Sequence, residues 1–135
     1  DIGPGLTEYE RNLNMIIDIA ESRSVRVILV TQPHMFDPFL PESEKSIFIW
    51  CGTNKDDPSR KCFSTSVWNE TLTAFNEVTL RVCRDRGVDC IDMEGAIPKN
   101  STYFTDGIHF TEVGSRLFAD RMYDQLKDLP PVCGK

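Results

Sequence analysis

The spacing of apolar residues in the first third of the chain predicts a helix followed by a buried strand. Thr7 and Glu10 have the spacing of a capping box, so the helix is predicted to begin at Thr7 and to end near residues 22–24. Residues 25–31 are β-branched and nearly all apolar, as expected for a strand buried on both faces. The apolar positions with a helical period are Leu6, Tyr9, Leu13, Ile16, Ile17 and Ala20.

Between residues 34 and 65 no helical or alternating period is visible, so a long loop is predicted, with a turn signal at residues 56–59. A loop of this length in a compact domain is commonly a functional loop or a lid. Its large apolar side chains could form a platform for an acyl group or a sugar ring, or they could only fix the loop to the core. These side chains are Phe36, Phe39, Leu40, Phe48, Ile49 and Trp50.

The second half of the chain predicts a helix, a strand, a loop and a helix. An apolar stripe indicates a helix over residues 66–86, with Gly87 as the residue that ends it. Residues 88–93 predict a second short strand, and Thr111 is typical of the N-cap of a last helix over residues 112–127. The stripe consists of Trp68, Leu72, Phe75, Val78, Thr79 and Val82, and the buried positions of the last helix include Val113, Leu117, Met122 and Leu126.

Helices that alternate with strands favour an α/β fold, in which a parallel sheet has helices on both faces. Two predicted strands are too few for a stable open sheet. We therefore expect residues 1–135 to be the C-terminal half of a single α/β domain, with the N-terminal half missing or supplied by another chain.

Composition and charge narrow the class of protein without indicating a function. Hydrophobic residues make up 40% and charged residues 27% of the chain, which is typical of a folded globular domain and argues against disorder. No run of about 18 apolar residues occurs, so no transmembrane segment is predicted. The net charge of −6 disfavours nucleic acid as a partner, because such a surface needs clusters of basic residues.

Cysteines and glycosylation sequons favour a secreted or otherwise extracytoplasmic protein. Asn69 and Asn100 each begin an Asn-x-Ser/Thr sequon, which predicts a glycoprotein. The chain has five cysteines and no C-x-x-C spacing, which disfavours a zinc site.

The positions of the cysteines suggest disulfides. Cys51 and Cys62 flank a turn-rich loop, and the predicted end of a helix and the next strand carry Cys83 and Cys90. Cys133 would then be left over, and an odd cysteine in a secreted protein suggests a bond to another chain. The alternative is that several of these cysteines are free and buried.

The candidate chemistry lies in residues 105–110, whose sequence is Thr-Asp-Gly-Ile-His-Phe. Asp106 precedes His109 by three positions, so in a tight turn its carboxylate can reach the Nδ1–H of the imidazole. The carboxylate would fix the tautomer and stabilise the imidazolium, which leaves Nε2 as a general base. An Asp-x-x-His pair also occurs by chance and in metal sites.

His34 is the other histidine of the chain, and it follows the predicted strand at residues 25–31. Sites in open α/β sheets form at the carboxyl ends of strands, so His34 is a candidate for binding substrate. Two alternatives are a loop histidine without a role and a metal site formed with Asp106 and His109.

Residues 106–119, with the sequence DGIHFTEVGSRLFA, resemble the last sequence block of the SGNH (GDSL-type) hydrolases, in which an Asp-x-x-His precedes the C-terminal helix. Residues 27–33, VILVTQP, are similar to a strand of that family that ends in a Thr-x-Pro-like turn. Weaker similarity lies in residues 9–13 and 75–92, so the resemblance extends over residues 6–126.

The resemblance implies a three-layer α/β/α fold of flavodoxin-like type. It also implies that the protein hydrolyses an ester, which is either a lipid or an acylated sugar. The reaction would use a Ser–His–Asp triad and neither a metal nor another cofactor. On this sequence His109 would be the general base, and Asp106 would orient it.

The sequence departs from the family pattern because it has no Gly-Asp-Ser and no Gly-x-Asn-Asp block, so no nucleophile is assigned. We expect the serine in the N-terminal half of the same protein, held as a second chain by Cys133 or another cysteine; a truncated sequence is the alternative. A second functional hypothesis is a non-catalytic module of this fold that binds a glycan or a protein.

Overall fold

The computed structural model describes residues 1–48 and 63–129. It shows a mixed helix–strand structure, which agrees with the predicted α/β class. Its elements are α1 (Gly3–Glu21), β1 (Ile28–Val30), α2 (Glu42–Lys45), α3 (Thr65–Arg86), β2 (Asp89–Ile91), a 3-10 turn (Glu94–Ala96) and α4 (Glu112–Leu126). Several predicted features lie outside the described residues, namely the turn at 56–59, Ile49, Trp50, Cys51, Cys62 and Cys133.

Strands β1 and β2 form a parallel two-stranded sheet in which Leu29 lies opposite Cys90. The N–H of Thr31 continues the ladder by donating to the carbonyl of Ile91 at 3.1 Å. Because the strands are parallel, the segments that follow them leave the sheet at the same edge. This edge is where the residues of the candidate site are found.

Apolar clusters lie on both faces of the sheet. Leu29 packs against a cluster formed by α1 and α3, with Ile17 and Val82 at its centre. Its neighbours Ile28 and Val30 pack against a second cluster, to which α4 contributes. Because successive side chains of a strand point to opposite faces, the two clusters lie against opposite faces of the sheet, as expected for an α/β fold, although the residues of β1 are only partly buried. No helix among the described residues is long and apolar enough to cross a membrane.

The predicted start of the first helix is wrong. Helix α1 begins at Gly3, and Pro4 occupies its first turn, where the N–H that proline lacks would have no partner within the helix. Thr7 lies inside the helix, and its Oγ1 donates to the carbonyl of Gly3 at 3.1 Å. The proline, and not the capping-box spacing, marks where this helix begins.

The boundaries of the two later long helices agree closely with the prediction. Helix α3 begins after Ser64, whose Oγ accepts the N–H of Val67, and ends at Gly87 with a φ of +66°. Glycine adopts this left-handed conformation without strain. Helix α4 begins after Thr111, whose Oγ1 accepts the N–H of Gly114 at 3.0 Å.

Strand length and the burial of α4 were overestimated from the sequence. The strands have three residues each, and at their amino ends Arg26 and Asp89 form an ion pair of 2.6 Å. In α4 the predicted buried residues Val113 and Leu126 are exposed, whereas Leu117 and Met122 pack against the core. A helical period alone does not define which side of a short helix faces the core.

A disulfide joins Cys83, near the end of α3, to Cys90 in β2. The two Cα atoms lie 5.8 Å apart, and seven positions separate the residues in sequence. This is one of the two intrachain pairings that the sequence suggests. It fixes the end of α3 to the strand that leads into the candidate site.

Replacing both cysteines, Cys83→Ala and Cys90→Ala, is expected to lower the free energy of unfolding by about 2 kcal/mol, because closing a loop of this length restricts the unfolded chain. Denaturant unfolding of the variant and the wild type, both under non-reducing conditions, measures the difference. An unchanged unfolding midpoint in the double variant would contradict a stabilising disulfide.

Candidate active site

Asp106 and His109 lie in a tight loop that begins and ends in a small antiparallel bridge between Phe104 and Phe110. Thr105 closes this loop, because its N–H and its Oγ1 both donate to the carbonyl of His109, at 2.8 and 3.2 Å. The backbone between the two candidate residues is therefore held in one conformation by local hydrogen bonds.

The carboxylate of Asp106 contacts the imidazole of His109 directly, with 2.7 Å between Oδ2 and Nδ1. Its other oxygen, Oδ1, accepts the N–H groups of Ile108 and His109, each at 2.8 Å. Asp106 is only 9% exposed, whereas the side chain of His109 is 68% exposed. With Nδ1 bound to a carboxylate, the neutral ring carries its proton on Nδ1 and keeps its lone pair on Nε2.

Two opposing effects act on the pKa of Asp106. Burial by itself would raise this pKa, but the hydrogen bonds from the N–H of Ile108 and from the imidazole and N–H of His109 outweigh burial and lower it. The carboxylate is therefore ionised at neutral pH. An ionised partner is what a histidine needs if it is to accept a proton and become an imidazolium.

Asp106→Asn is expected to lower the free energy of unfolding by about 1 kcal/mol at pH 7, through the loss of charge-assisted hydrogen bonds. Because folding lowers the pKa of Asp106, its contribution is present above about pH 5 and is lost as the pH falls below about 4. We therefore expect the difference in free energy of unfolding between wild type and Asp106→Asn to become smaller as the pH is lowered from 7 to 3. Denaturant unfolding at each pH measures this difference.

Asp120→Asn, at an exposed position of α4, controls for the change in net charge. If the difference in free energy of unfolding between wild type and Asp106→Asn stays constant down to pH 3, the ionised carboxylate is not stabilised in the folded protein. Asparagine keeps one oxygen for the two backbone N–H groups, so the comparison reports the loss of the charge together with the loss of the hydrogen bond from Nδ1 of His109.

The loop of Asp106 and His109 is also held by the segment that follows β1. The N–H of Met35 donates to the carbonyl of Gly107 at 2.8 Å. The ring of Phe36 lies so close to Gly107 that a Cβ there would be 2.0 Å from Cζ of the ring. A side chain at position 107 would therefore displace the ring of Phe36.

His109 borders an open cleft of about 470 Å³. The rings of Phe36 and Trp68 stack in its wall, with 5.6 Å between centroids and 17° between planes. Phe36 comes from the predicted loop of aromatic residues, but Trp68 comes from α3 and was expected in the core. The lining residues are Phe36, Trp68, Gly107, Ile108 and His109.

His34 does not lie in the lining of this cleft. It is fully buried, with Nε2 3.1 Å from Oε1 of Glu94 and Nδ1 3.4 Å from Nζ of Lys99. Burial, and then the charge of Lys99, lower the pKa of His34 to about 4, so the ring is neutral at physiological pH. The structure places His34 in a contact between the segments after β1 and β2, and it does not bring it together with Asp106 and His109.

Thr31 makes a second connection between these two segments. Its buried Oγ1 donates to Oδ1 of Asp92 at 2.7 Å and accepts the N–H groups of Met93 and Glu94 at 2.8 and 3.0 Å. The backbone that supports Phe36 is therefore fixed to both strands of the sheet.

The alternative metal site is not assembled in this structure. Within residues 1–48 and 63–129, no group of three or more His, Cys, Asp or Glu side chains is arranged to hold a metal ion. Asp106 and His109 instead bind each other, and among the residues that the structure describes no serine lines their cleft. The pair can accept and return a proton.

Comparison with known proteins gives one informative similarity. The sequence is 28% identical over 98 residues to the GDSL esterase/lipase WDL1 of Oryza sativa subsp. japonica, and the match covers 66% of this chain. The chain spans only 38% of the length of that protein. No protein-family profile and no solved structure matches the sequence. The similarity loosely supports a GDSL-type hydrolase.

Proposed function

We propose that this chain supplies the histidine and the aspartate of a Ser–His–Asp triad in a GDSL-type esterase or lipase-like hydrolase. The observation that carries the proposal is the 2.7 Å contact between an ionised, buried Asp106 and an exposed His109 at the edge of an apolar cleft. The similarity to a GDSL esterase/lipase supports the same class of reaction.

In the proposed reaction, Nε2 of His109 takes the proton of the serine hydroxyl while the serine oxygen attacks the ester carbonyl. The imidazolium then gives this proton to the alcohol oxygen as the carbon–oxygen bond breaks, which leaves an acyl-serine. Water, deprotonated by His109, hydrolyses the acyl-serine and restores the hydroxyl. Asp106 stays ionised throughout and stabilises the imidazolium.

The serine is proposed to come from the N-terminal half of a three-layer α/β/α domain whose C-terminal half is this chain. Two observations support an incomplete domain. Among the described strands, β1 pairs with β2 only, so its other edge has no strand beside it. Helix α1 also exposes Met15, Ile16 and Ile19, each by more than half, and apolar residues that lie together on a surface commonly mark an interface.

A covalent link to that half, through Cys133 or another cysteine, and an extracytoplasmic location belong to the same proposal. The disulfide between Cys83 and Cys90 supports the location, because disulfides persist in oxidising compartments. Intact mass under reducing and non-reducing conditions tests the link. A single mass equal to that of this chain under both conditions would contradict it.

The catalytic proposal is tested by ester turnover of the assembled protein, with and without the substitution His109→Ala. Loss of turnover supports the triad, and retained turnover contradicts it. The non-catalytic binding module remains the second candidate, because the 135 residues contain no Gly-Asp-Ser sequence. If the remaining part of the protein also lacks that serine, the binding module is the better explanation.

A further inference from the structure

We propose that Asn100 is the acceptor of an N-linked oligosaccharide and that Asn69, the first residue of the other sequon, is not. This inference goes beyond ester hydrolysis and is independent of the triad. Use of the site in the natural protein rests on the extracytoplasmic location that belongs to the proposed function.

The sequon at residues 100–102 lies in a turn between the 3-10 turn and the bridge at Phe104. Oδ1 of Asn100 accepts the N–H of Thr102 at 3.0 Å, so the asparagine side chain and the threonine backbone face each other. Ser101 and Thr102 are exposed, and Asn100 is half-buried. Acceptor asparagines of secreted proteins belong to surface loops of this kind.

The nitrogen atom that would carry the oligosaccharide has no hydrogen-bond partner in the described part of the chain. Nδ2 of Asn100 donates to no group there, and it is not one of the buried polar atoms that lack a partner. Solvent therefore reaches this nitrogen. A substituent on it breaks no hydrogen bond of the described fold.

The hydrogen bonds that hold the turn use other atoms. The carbonyl of Asn100 accepts the N–H groups of Tyr103 and Phe104 at 3.1 and 3.2 Å. The carboxylate of Glu44 in α2 accepts the N–H of Ser101 at 2.6 Å and its Oγ at 3.2 Å. A glycan on Nδ2 leaves all of these bonds in place, so the folded protein can carry it.

The sequon that begins at Asn69 has a different backbone conformation. Asn69 and Thr71 both lie inside α3, two positions apart, and side chains at that spacing on a helix do not face each other. The turn that Asn100 adopts would require the first turns of α3 to unwind. Trp68, which precedes Asn69, is packed against the core, so unwinding would also remove a core contact.

The modification replaces one hydrogen atom of the Asn100 amide. Nδ2 attacks the anomeric carbon of an oligosaccharide that is carried on a lipid diphosphate, the co-reactant that the transferase of the secretory compartment uses. The bond between that carbon and the diphosphate oxygen breaks as the new carbon–nitrogen bond forms. Nδ2 gives one proton to a base of the transferase, and the lipid diphosphate leaves with the electron pair.

The test uses the assembled protein, expressed behind a secretion leader in a eukaryotic host. Because the leader supplies the compartment, the result does not depend on where the natural protein is located. Digestion with peptide N-glycosidase converts each asparagine that carried a glycan to aspartate, and mass spectrometry of the peptides distinguishes the two positions. We expect aspartate at position 100 and asparagine at position 69.

Substitutions of the two threonines provide a matched pair of variants. Thr102→Ala removes the sequon but keeps Asn100 and the backbone N–H that its side chain accepts. It is expected to abolish the change in electrophoretic mobility that the glycosidase causes, and Asn100→Gln is expected to do the same. Thr71→Ala makes the equivalent change on α3 and is expected to leave the mobility change as in wild type.

A glycan at Asn69, an unmodified Asn100, or the same mobility change in Thr102→Ala and Thr71→Ala would overturn the proposal. The result is separable from the proposed function. A glycan at Asn100 in a protein whose His109→Ala variant retains ester turnover would support the glycan site and overturn the triad. Loss of turnover in His109→Ala, without a glycan at Asn100, would do the reverse.

Discussion

His109→Ala is expected to lower kcat of the assembled protein for a simple ester by about 10⁴-fold or more, with little change in KM. Without the imidazole, no group takes the proton from the serine hydroxyl as it attacks. The apolar side chains that line the cleft, Phe36, Trp68 and Ile108, are unchanged, so ground-state binding of the substrate is expected to be preserved. Steady-state kinetics with a p-nitrophenyl ester measures both constants.

Asp106→Asn is expected to lower kcat by about 10³-fold or more, because a neutral amide neither holds Nδ1–H of the imidazole nor stabilises the imidazolium. Asp120→Asn changes the net charge equally on an exposed part of α4 and is expected to retain full activity. Activity of His109→Ala within tenfold of wild type would exclude His109 as the base. Equal activity of Asp106→Asn and Asp120→Asn would exclude Asp106 as its partner.

The features that the sequence predicted well are those decided by residues close together in the chain. Gly87 ends α3 because the chain adopts a left-handed conformation there. Thr111 caps the start of α4, because its Oγ1 accepts a hydrogen bond from the N–H of Gly114 in the first turn. The contact between Asp106 and His109 is equally local, since three positions in a tight turn bring the groups together. Each depends on a spacing that can be read directly from the chain.

The features that were missed depend on contacts between distant parts of the chain. Trp68 packs against the core, as its period predicts, but only the approach of Phe36 shows that it also forms a cleft wall. His34 follows a strand, where sites form, but Glu94, 60 positions later, and Lys99 hold it in the interior. Periodicity gives the side of an element on which a residue lies, but not what covers it.

Gly114→Ala is expected to lower the free energy of unfolding by about 3 kcal/mol, the upper end of the usual effect of overpacking. A Cβ at position 114 would lie 2.0 Å from the carbonyl oxygen of Tyr103 and 3.2 Å from Cβ of Phe110. The carbonyl cannot move away freely, because it accepts the N–H of Thr111 at 2.9 Å. A decrease in the free energy of unfolding would be informative, because replacing glycine with alanine within a helix ordinarily stabilises the protein by about 1 kcal/mol.

Gly95→Ala is the matched control, because a Cβ at position 95 would have no atom within 4 Å, and its effect should stay within about 0.5 kcal/mol. Denaturant unfolding of both variants measures the contrast, and equal stabilities would contradict the close approach of α4 to Tyr103. Tyr103 and Thr111 enclose the loop of Asp106 and His109, so the clash at Gly114 should also disturb the candidate pair. Loss of ester turnover in Gly114→Ala but not in Gly95→Ala would then follow from a displaced loop, with the side chains of Asp106 and His109 both still present.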